Sequence, residues 1–191
     1  MQLTQKVHQR LTAHLKAGDL AIDATAGNGY DTLYLAQTVS ENGHVIAIDI
    51  QEAALQSTQA KLTHAKLNDR VELHCTDHAT YLQELCNSHT AKVSSILFNL
   101  GYLPGSDKSV QTLPSSTEKA LQASLQLLQP NGLLCVTAYR GHPGGIEESQ
   151  VVENWMRAQK KLGHSIECHT PPSPNSPPIL WLLSKSEQPH D

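Results

Sequence analysis

Two glycines and a later acid have the spacing of a ligand-binding turn. Gly27 and Gly29 stand between a short apolar run and a helical pattern that begins near Asp31. Glycine tolerates positive φ and leaves room for a ligand beside the backbone, and a helix N-terminus offers unpaired N–H groups to an anionic group. About twenty residues later a second apolar run ends in Asp49, the position of the ribose-binding acid in nucleotide-binding α/β folds. The pattern predicts a bound cofactor that contains adenosine; the alternative is a purely structural turn.

The residues around the glycines distinguish between two cofactors of this kind. A dinucleotide fingerprint would require a third glycine where the sequence has Thr32. An acid ahead of the glycines, here Asp23, is the pattern expected for S-adenosylmethionine, which has no pyrophosphate and brings a carboxylate, an ammonium and a sulfonium. Asp23 also suits a strand-end residue that ties down its own turn, and the two interpretations are compatible. The sequence therefore favours S-adenosylmethionine over NAD.

Composition limits the fold and the partners. The chain has 191 residues, which suggests one domain over 1–191 with a full core. Its net charge of −4 argues against binding nucleic acid by bulk charge, so any such contact needs a local basic surface. No apolar run approaches the roughly 20 residues of a membrane span, and the N-terminus has no apolar signal core. We therefore expect no membrane contact and a cytoplasmic location.

The cysteines and histidines give little sign of disulfides or metals. The four cysteines show no C-x-x-C pairing, and Cys75 and Cys135 lie in apolar strand-like runs, where we expect small buried side chains. The eleven histidines lack the spacing of metal ligands. We therefore expect no metal site.

Strand and helix patterns alternate along the chain. A first helix is predicted over 2–17, and a capping box from Ser115 to Glu118 predicts the start of the helix after the fourth strand. The predicted strands lie at about 20–25, 44–49, 70–75, 93–99, 133–139, 164–169 and 179–184. The last two follow each other without a helix. This order predicts an α/β fold with a mostly parallel seven-stranded sheet, an antiparallel terminal strand and helices on both faces. That is the Rossmann-like layout of class I methyltransferases.

Polar residues follow the predicted strands at the edge where ligands bind in such sheets. Asp49 is placed for the ribose hydroxyls, and Asp77 is placed to accept a hydrogen bond from the adenine amino group, although it also suits a helix N-cap. The residues assigned to cofactor binding are Asp23, Gly27, Asn28, Gly29, Asp31, Thr32, Asp49, Gln51, Asp77, His78, Asn99 and Leu100.

The stretch Asn-Leu-Gly-Tyr at 99–102 follows a buried strand and carries a second signal. It resembles the Asn-Pro-Pro-Tyr signature of amino-methylating enzymes, without the two prolines. In that signature the asparagine side chain and the next carbonyl accept hydrogen bonds from an amine, which aims its lone pair at the methyl group, and the ring stacks on the base. The alternative is that Asn99 caps a turn and Tyr102 packs at the surface.

Two loops supply candidate substrate contacts. The loop 101–115 is long enough for a lid or substrate loop, and its Lys108 suits a phosphate contact as well as a solvated position. The loop 140–145 contains Arg140 and His142. A histidine there can take a proton or hold the substrate, although an isolated loop histidine more often does neither.

Four stretches together resemble the MnmM (YtqB-like) family of tRNA 5-aminomethyl-2-thiouridine methyltransferases. They are Asp-Ala-Thr-Ala-Gly-Asn-Gly-Tyr-Asp-Thr at 23–32, Asp-Ile-Gln at 49–51, Asn-Leu-Gly-Tyr-Leu-Pro-Gly at 99–105 with Asp-Lys at 107–108, and Gly-His-Pro-Gly-Gly at 141–145. The likeness covers nearly the whole chain. One departure is Arg140, where many members have histidine, so this side chain suits substrate contact better than an essential catalytic role.

The resemblance implies an enzyme that uses S-adenosylmethionine to methylate the exocyclic amine of a modified wobble uridine in tRNA. It implies contact with the anticodon arm and a homodimer. Asn99 would orient the amine, Tyr102 would flank the base, and Asp31 or His142 would accept the proton. Tyr102, Lys108, Arg140 and His142 are the expected substrate contacts. The alternatives are an rRNA or small-molecule amine methyltransferase, or a nucleotide-binding oxidoreductase or regulatory module without methyl transfer.

Overall fold

The computed structural model describes residues 2–103, 105, 110–172 and 177–187. The helices are α1 (Leu3–His14), α2 (Tyr30–Thr38), α3 (Glu52–Ala65), α4 (His78–His89), α5 (Pro114–Leu127) and α6 (Gly145–Lys161), with a short 3-10 turn at Asn68–Arg70. The strands are β1 (Leu20–Asp23), β2 (His44–Asp49), β3 (Val71–Cys75), β4 (Val93–Leu100), β5 (Leu128–Ala138), β6 (Ser165–His169) and β7 (Ile179–Ser184).

The seven strands form one sheet in the order β3-β2-β1-β4-β5-β7-β6. The first five run parallel to one another, and β7 runs antiparallel to both of its neighbours, β5 and β6. The predicted fold class is therefore confirmed, including the antiparallel strand near the end of the chain. The chain crosses over beside β1, from β3 on one side to β4 on the other, and this switch point is where such sheets bind ligands.

Helices cover both faces of the sheet, and neighbouring residues of a strand point to opposite faces, so each strand contributes to two apolar clusters. Ile22 of β1 packs with the cluster that includes residues of α4, α5 and α6. Ala21, one position earlier, packs with the cluster that includes Val7 and Leu11 of α1 and Leu35 of α2. The same alternation continues into β4 and β5. The sheet edge that follows these strands is held rigidly from both sides.

The start of α5 differs from the prediction. The helix begins at Pro114 with Leu113 as its N-cap, and no side chain caps it, so the predicted capping box from Ser115 is wrong. Proline is favoured at the first helical position because its fixed φ suits the helix and its missing N–H is not needed there. The hydroxyl groups of Ser116 and Thr117 bind carboxyl groups of other elements instead.

Cysteine burial agrees with the prediction at one position only. Cys135 is fully buried in β5, whereas Cys75 is exposed. Cys75 ends β3, which is an edge strand of the sheet and is covered less completely than the central strands. Among the described residues, no helix combines the length and the apolar character needed to cross a membrane.

Candidate active site

A cavity of about 630 Å³ opens at the carboxyl edge of the sheet. This volume lies within the range of small-molecule sites. Of the residues predicted for cofactor or substrate contact, those that line it are Gly27, Asn28, Asp31, Asp49, Gln51, Asp77, His78, Asn99, Tyr102 and His142. The structure therefore brings together residues from the ends of five strands and the loops that follow them.

Asp49 connects the glycine turn to the end of β2. Its Oδ2 accepts a hydrogen bond of 2.9 Å from the Gly27 N–H, and its Oδ1 accepts one of 2.9 Å from the Gln51 N–H. Each carboxylate oxygen has a further lone pair, so the group can also accept hydrogen bonds from a pair of hydroxyls. This geometry suits the predicted contact with a ribose.

Asp23 and Thr32 lie beneath the turn and do not line the cavity. Asp23 is fully buried, and its Oδ2 accepts a 2.6 Å hydrogen bond from the Thr32 hydroxyl. Burial, together with the nearby negative charge of Asp31, raises the pKa of Asp23 from 3.8 to about 7. The two side chains support the turn from below, so any role in cofactor binding is indirect.

Gly29 also serves the packing of the turn. It has φ of +81°, and a Cβ built there would lie 2.6 Å from Cα of Thr58 in α3. Only glycine allows this close approach of α2 to α3. The cavity wall itself is formed by Gly27 and Asn28.

Asp77 is the N-cap of α4, and His78 is the first residue of this helix. The sequence predicts a contact between Asp77 and the adenine amino group. The Asp77 carboxylate caps the helix through a 2.9 Å hydrogen bond from the Thr80 N–H, and it accepts a 2.6 Å hydrogen bond from the Ser116 hydroxyl. Burial alone would raise the pKa of Asp77, but these hydrogen bonds outweigh burial and hold the pKa below its usual range. Asp77 therefore caps α4 and lines the cavity at the same time. His78 is buried, and burial lowers its pKa.

Asn99 is held in a defined orientation at the end of β4. Its backbone N–H donates to the Thr25 hydroxyl over 2.7 Å, and its side-chain Nδ2 donates to Oδ2 of Asp31 over 2.8 Å. An ionised carboxylate only accepts hydrogen bonds, so the amide nitrogen must be the atom that faces Asp31. The amide oxygen is consequently the acceptor that this side chain can offer to a ligand in the cavity.

Tyr102 and His142 meet at the opposite rim. Their rings make an edge-to-face contact with centroids 5.8 Å apart. His142 Nδ1 lies 3.0 Å from both Gln111 Oε1 and the Pro143 carbonyl, which are acceptors, so Nδ1 carries the proton of the neutral ring. Within the described part of the chain, His142 Nε2 is buried without a hydrogen-bond partner.

A buried carboxyl group behind this rim was not predicted from the sequence. Glu148 of α6 accepts hydrogen bonds from the hydroxyls of Thr112 (2.7 Å) and Thr117 (2.5 Å). The Thr112 hydroxyl in turn accepts from the Gly101 N–H over 2.8 Å. Burial raises the pKa of Glu148. The network ties the residues after Asn99 to α5 and α6, and no local sequence pattern signals it.

Two further predicted residues, Leu100 and Arg140, do not line the cavity. Leu100 is a fully buried core residue of β4. Arg140 lies just outside the wall, and its Nε is buried without a hydrogen-bond partner among the described residues. Lys108 lies outside the described residues. A metal-binding group of three or more histidine, cysteine or acidic side chains is not found in the described ranges.

The groups that line the cavity are chemically suited to S-adenosylmethionine. Asp49 presents carboxylate oxygens for a ribose, and Asp77 presents an acceptor for an amino group. A Cβ built at Gly27 would come within 3.6 Å of Leu103, so a side chain there would occupy the cavity. With the strand order and the switch point beside β1, these features define a Rossmann-like methyltransferase.

The chain belongs to the family described as "Putative rRNA methylase", whose sequence profile matches residues 45–184. A profile for protein-L-isoaspartate O-methyltransferases matches residues 2–86. A "putative rRNA-methylase" from Clostridium thermocellum is 35% identical, with a TM-score of 0.88 over 95% of this chain and 96% of that one. A putative methyltransferase from Streptococcus mutans, solved in complex with SAH, is 31% identical, with a TM-score of 0.85 over 97% and 98% of the two chains.

A curated relative carries a more specific name. The chloroplastic tRNA (mnm(5)s(2)U34)-methyltransferase of Arabidopsis thaliana is 40% identical over 162 residues, which are 78% of this chain and 57% of that protein. The chain thus spans little more than half the length of this relative. The comparisons confirm the resemblance described above, and with it the predicted class of enzyme, a methyltransferase that uses S-adenosylmethionine.

Proposed function

We propose that this protein methylates the aminomethyl group of a modified wobble uridine, 5-aminomethyl-2-thiouridine, in tRNA. The observation that carries the proposal is the orientation of Asn99, whose amide oxygen remains for a ligand in the cavity while its nitrogen donates to Asp31. That oxygen suits an amine donor. The name of the Arabidopsis relative supports the choice of nucleoside.

When bound, S-adenosylmethionine supplies an electrophilic methyl group on a sulfonium. Gly27, Asp49 and Asp77 would hold this cofactor along the wall that they form. The Asn99 amide oxygen accepts a hydrogen bond from the substrate amine, which leaves the nitrogen lone pair directed away from Asn99. Holding the amine in line accounts for most of the acceleration, since correct placement alone can contribute roughly 7–11 kcal/mol.

The substrate amine must lose a proton before it can react. An alkyl amine has a pKa of about 10, as in lysine, so it is mostly an ammonium at neutral pH. Asp31 lines the cavity beside Asn99, so its carboxylate is within the site and can take this proton. The N–H bond breaks, an O–H bond forms on Asp31, and the electron pair stays on nitrogen.

His142 is the other candidate for the proton. Its Nδ1 already carries a hydrogen, which leaves Nε2 as the basic atom. A Cβ built on Gly101 would lie 3.4 Å from Nε2, and one built on Gly145 would lie 2.7 Å away. Nε2 therefore packs between two glycines, where a substrate amine has little room. The geometry favours Asp31 as the proton acceptor and leaves His142 to support Tyr102.

Aromatic side chains at the mouth of the cavity suit a nucleobase. Tyr30 is 68% exposed and lines the cavity, and Lys61 Nζ lies 4.6 Å from the centre of its ring. Tyr139 lines the cavity and is 43% exposed. Bases stack on such rings without depending on bulk positive charge, which agrees with a chain of net charge −4. A base in an anticodon loop is already single-stranded, so little unpairing is needed.

The proposal includes the anticodon arm as the bound part of tRNA and a homodimer as the working form, as the family resemblance implies. Binding of an isolated anticodon stem-loop, measured against an acceptor stem of equal length, tests the first part. Light scattering after size-exclusion chromatography tests the second. A monomeric mass at all concentrations would contradict the dimer.

Nucleoside mass spectrometry tests the reaction. The protein is incubated with S-adenosylmethionine and tRNA that carries the aminomethyl uridine, and we expect one added methyl group on that nucleoside. The family description makes ribosomal RNA the second substrate to test. Product on ribosomal RNA but not on tRNA would overturn the proposed substrate.

Asn99→Ala tests the catalytic geometry. We expect turnover to fall by roughly two orders of magnitude because the amine loses its orientation, with calorimetric binding of S-adenosylmethionine retained. Asn154→Ala, a change at an exposed position of α6, is the matched control and should leave both unchanged. Normal turnover by Asn99→Ala would contradict the orienting role, and tighter binding of NAD than of S-adenosylmethionine would contradict the class of enzyme.

A further inference from the structure

His8 of α1 reaches the site from outside the strand–helix units that form it. Its Nε2 lies 2.7 Å from Oδ1 of Asp31. Its ring stacks on Tyr34 of α2, with centroids 3.7 Å apart and planes 5° from parallel. The Tyr34 hydroxyl also donates to the His8 carbonyl over 2.8 Å. The imidazole is therefore held in position by α2 on one side and by Asp31 on the other.

Helix α1 is itself fixed against the sheet. Val7 and Leu11 are buried in the same cluster as Leu35 of α2 and Ala21 of β1. Thr4, one turn before His8, lines the cavity. The helix thus forms part of the site wall.

The hydrogen-bond chemistry assigns every proton in this chain of contacts. Asp31 receives His8 Nε2 on one oxygen and Asn99 Nδ2 on the other. Since the carboxylate only accepts, both nitrogens must donate. His8 therefore carries its proton on Nε2, and the Asn99 amide cannot rotate by half a turn without placing its oxygen against the carboxylate.

We propose that His8 is a positioning residue that, through Asp31, fixes which atom of the Asn99 amide faces the substrate amine. This inference rests on the proposed function. His8 acts through Asp31: its N–H holds one carboxylate oxygen, so the other stays directed at Asn99. Without that donor the carboxylate can rotate, and the Asn99 amide can then turn its nitrogen toward the amine. Its N–H would there bind the lone pair that must attack the methyl group, instead of accepting a hydrogen from the amine.

The tautomer of His8 gives a test that does not depend on activity. Nitrogen-15 NMR of the protein without ligands distinguishes the two neutral forms of the ring. We expect the proton on Nε2, with Nδ1 unprotonated. A His8 ring protonated on Nδ1 alone would overturn the proposal, because Nε2 and Asp31 would then both be acceptors.

Kinetics of two His8 variants give the second test. His8→Phe keeps a ring over Tyr34 but lacks the donor, so we expect kcat to fall roughly tenfold with unchanged affinity for S-adenosylmethionine. His8→Gln restores an N–H donor and should recover most of the loss. His14→Phe is the control, because His14 lies on the same helix and contacts the Ser94 carbonyl rather than the site.

The outcomes separate this inference from the proposed function. Wild-type kcat for His8→Phe, with a large loss for Asn99→Ala, would overturn the role of His8 and leave the proposed function standing. Normal turnover by Asn99→Ala would overturn the proposed function itself. A loss in His8→Phe that His8→Gln does not restore would assign the effect to packing and so overturn the proposal. If His8→Phe does not fold, the tautomer of the wild-type ring decides.

Discussion

Asp23 makes the stability of this protein depend on pH in a direction opposite to that of most carboxyl groups. It is fully buried beneath the glycine turn, and its pKa rises from 3.8 to about 7, chiefly because burial disfavours the charged form and also because Asp31 and Asp49 lie nearby. A carboxyl group with a raised pKa in the folded state contributes stability that is complete below pH 3.8 and is lost as the pH rises through about 7.

Replacement by asparagine isolates this contribution. Asp23→Asn keeps the shape of the side chain and an oxygen for the Thr32 hydroxyl, but it does not ionise. The shift from 3.8 to about 7 is roughly three pKa units, and at 1.36 kcal/mol per unit it corresponds to about 4 kcal/mol. We therefore expect the advantage of the variant over the wild type to grow steadily between pH 4 and pH 7 and to level off at up to about 4 kcal/mol above pH 7.

Urea denaturation of both proteins without ligands, repeated across this pH range, measures the difference directly. Exposed groups titrate in both proteins and largely cancel. Asp69→Asn, at an exposed position outside the glycine turn, is the control for removing a carboxylate elsewhere in the chain. A free-energy difference between Asp23→Asn and wild type that stays constant within about 0.5 kcal/mol would refute the reasoning, since Asp23 would then be as easily ionised in the folded as in the unfolded chain.

Three further changes test the turn, the ribose contact and the rim. Gly29→Ala should lower the free energy of unfolding by about 3 kcal/mol in urea denaturation, because it adds a clash with α3 to the strain of positive φ. Gly18→Ala is the control: Gly18 also has positive φ but nothing within 4 Å, so the cost should be about 1 kcal/mol. Equal costs would contradict the packing argument. Asp49→Ala should weaken calorimetric binding of S-adenosylmethionine at least about tenfold, because it removes the acceptor for the Gly27 N–H as well as the ribose contact, and unchanged affinity would refute that role. Glu148→Leu should cost about 2 kcal/mol, since the buried Thr117 hydroxyl and the partly buried Thr112 hydroxyl lose their acceptor. A melting temperature equal to that of wild type would contradict this.

Much of the fold could be predicted because its signals are local. The apolar runs that form β2 and β7 are bounded by polar or turn residues, and the predicted limits of these two strands agree with the structure. The start of α5 could not be predicted in the same way. Ser115 and Glu118 form a plausible local cap, but Pro114 directly before them suits the first helical position, and the helix begins there. Two local signals compete within two residues, so the sequence alone does not decide between the two helix starts.

The same distinction applies to the site. Topology alone places Asp49, Asp77 and Asn99 at one edge of the sheet, because the carboxyl ends of parallel strands meet there, and the structure brings them to one cavity. His8 and Glu148 could not be found in this way. Both lie in helices, and helical periodicity indicates only which face is buried. The partner of His8 lies 23 positions away in the sequence, and the two partners of Glu148 lie 31 and 36 positions away. No spacing rule links such pairs before the helices are docked.

The position of β7 has a consequence for how the protein forms during synthesis. Among the described strands β7 comes last in the sequence, yet it lies inside the sheet and pairs with both β5 and β6. Until β7 leaves the ribosome, β5 has an unpaired strand edge and β6 lacks the strand with which it pairs. The nascent chain is therefore most exposed to wrong association just before β7 inserts, and helper proteins that shield strand edges would act at that moment.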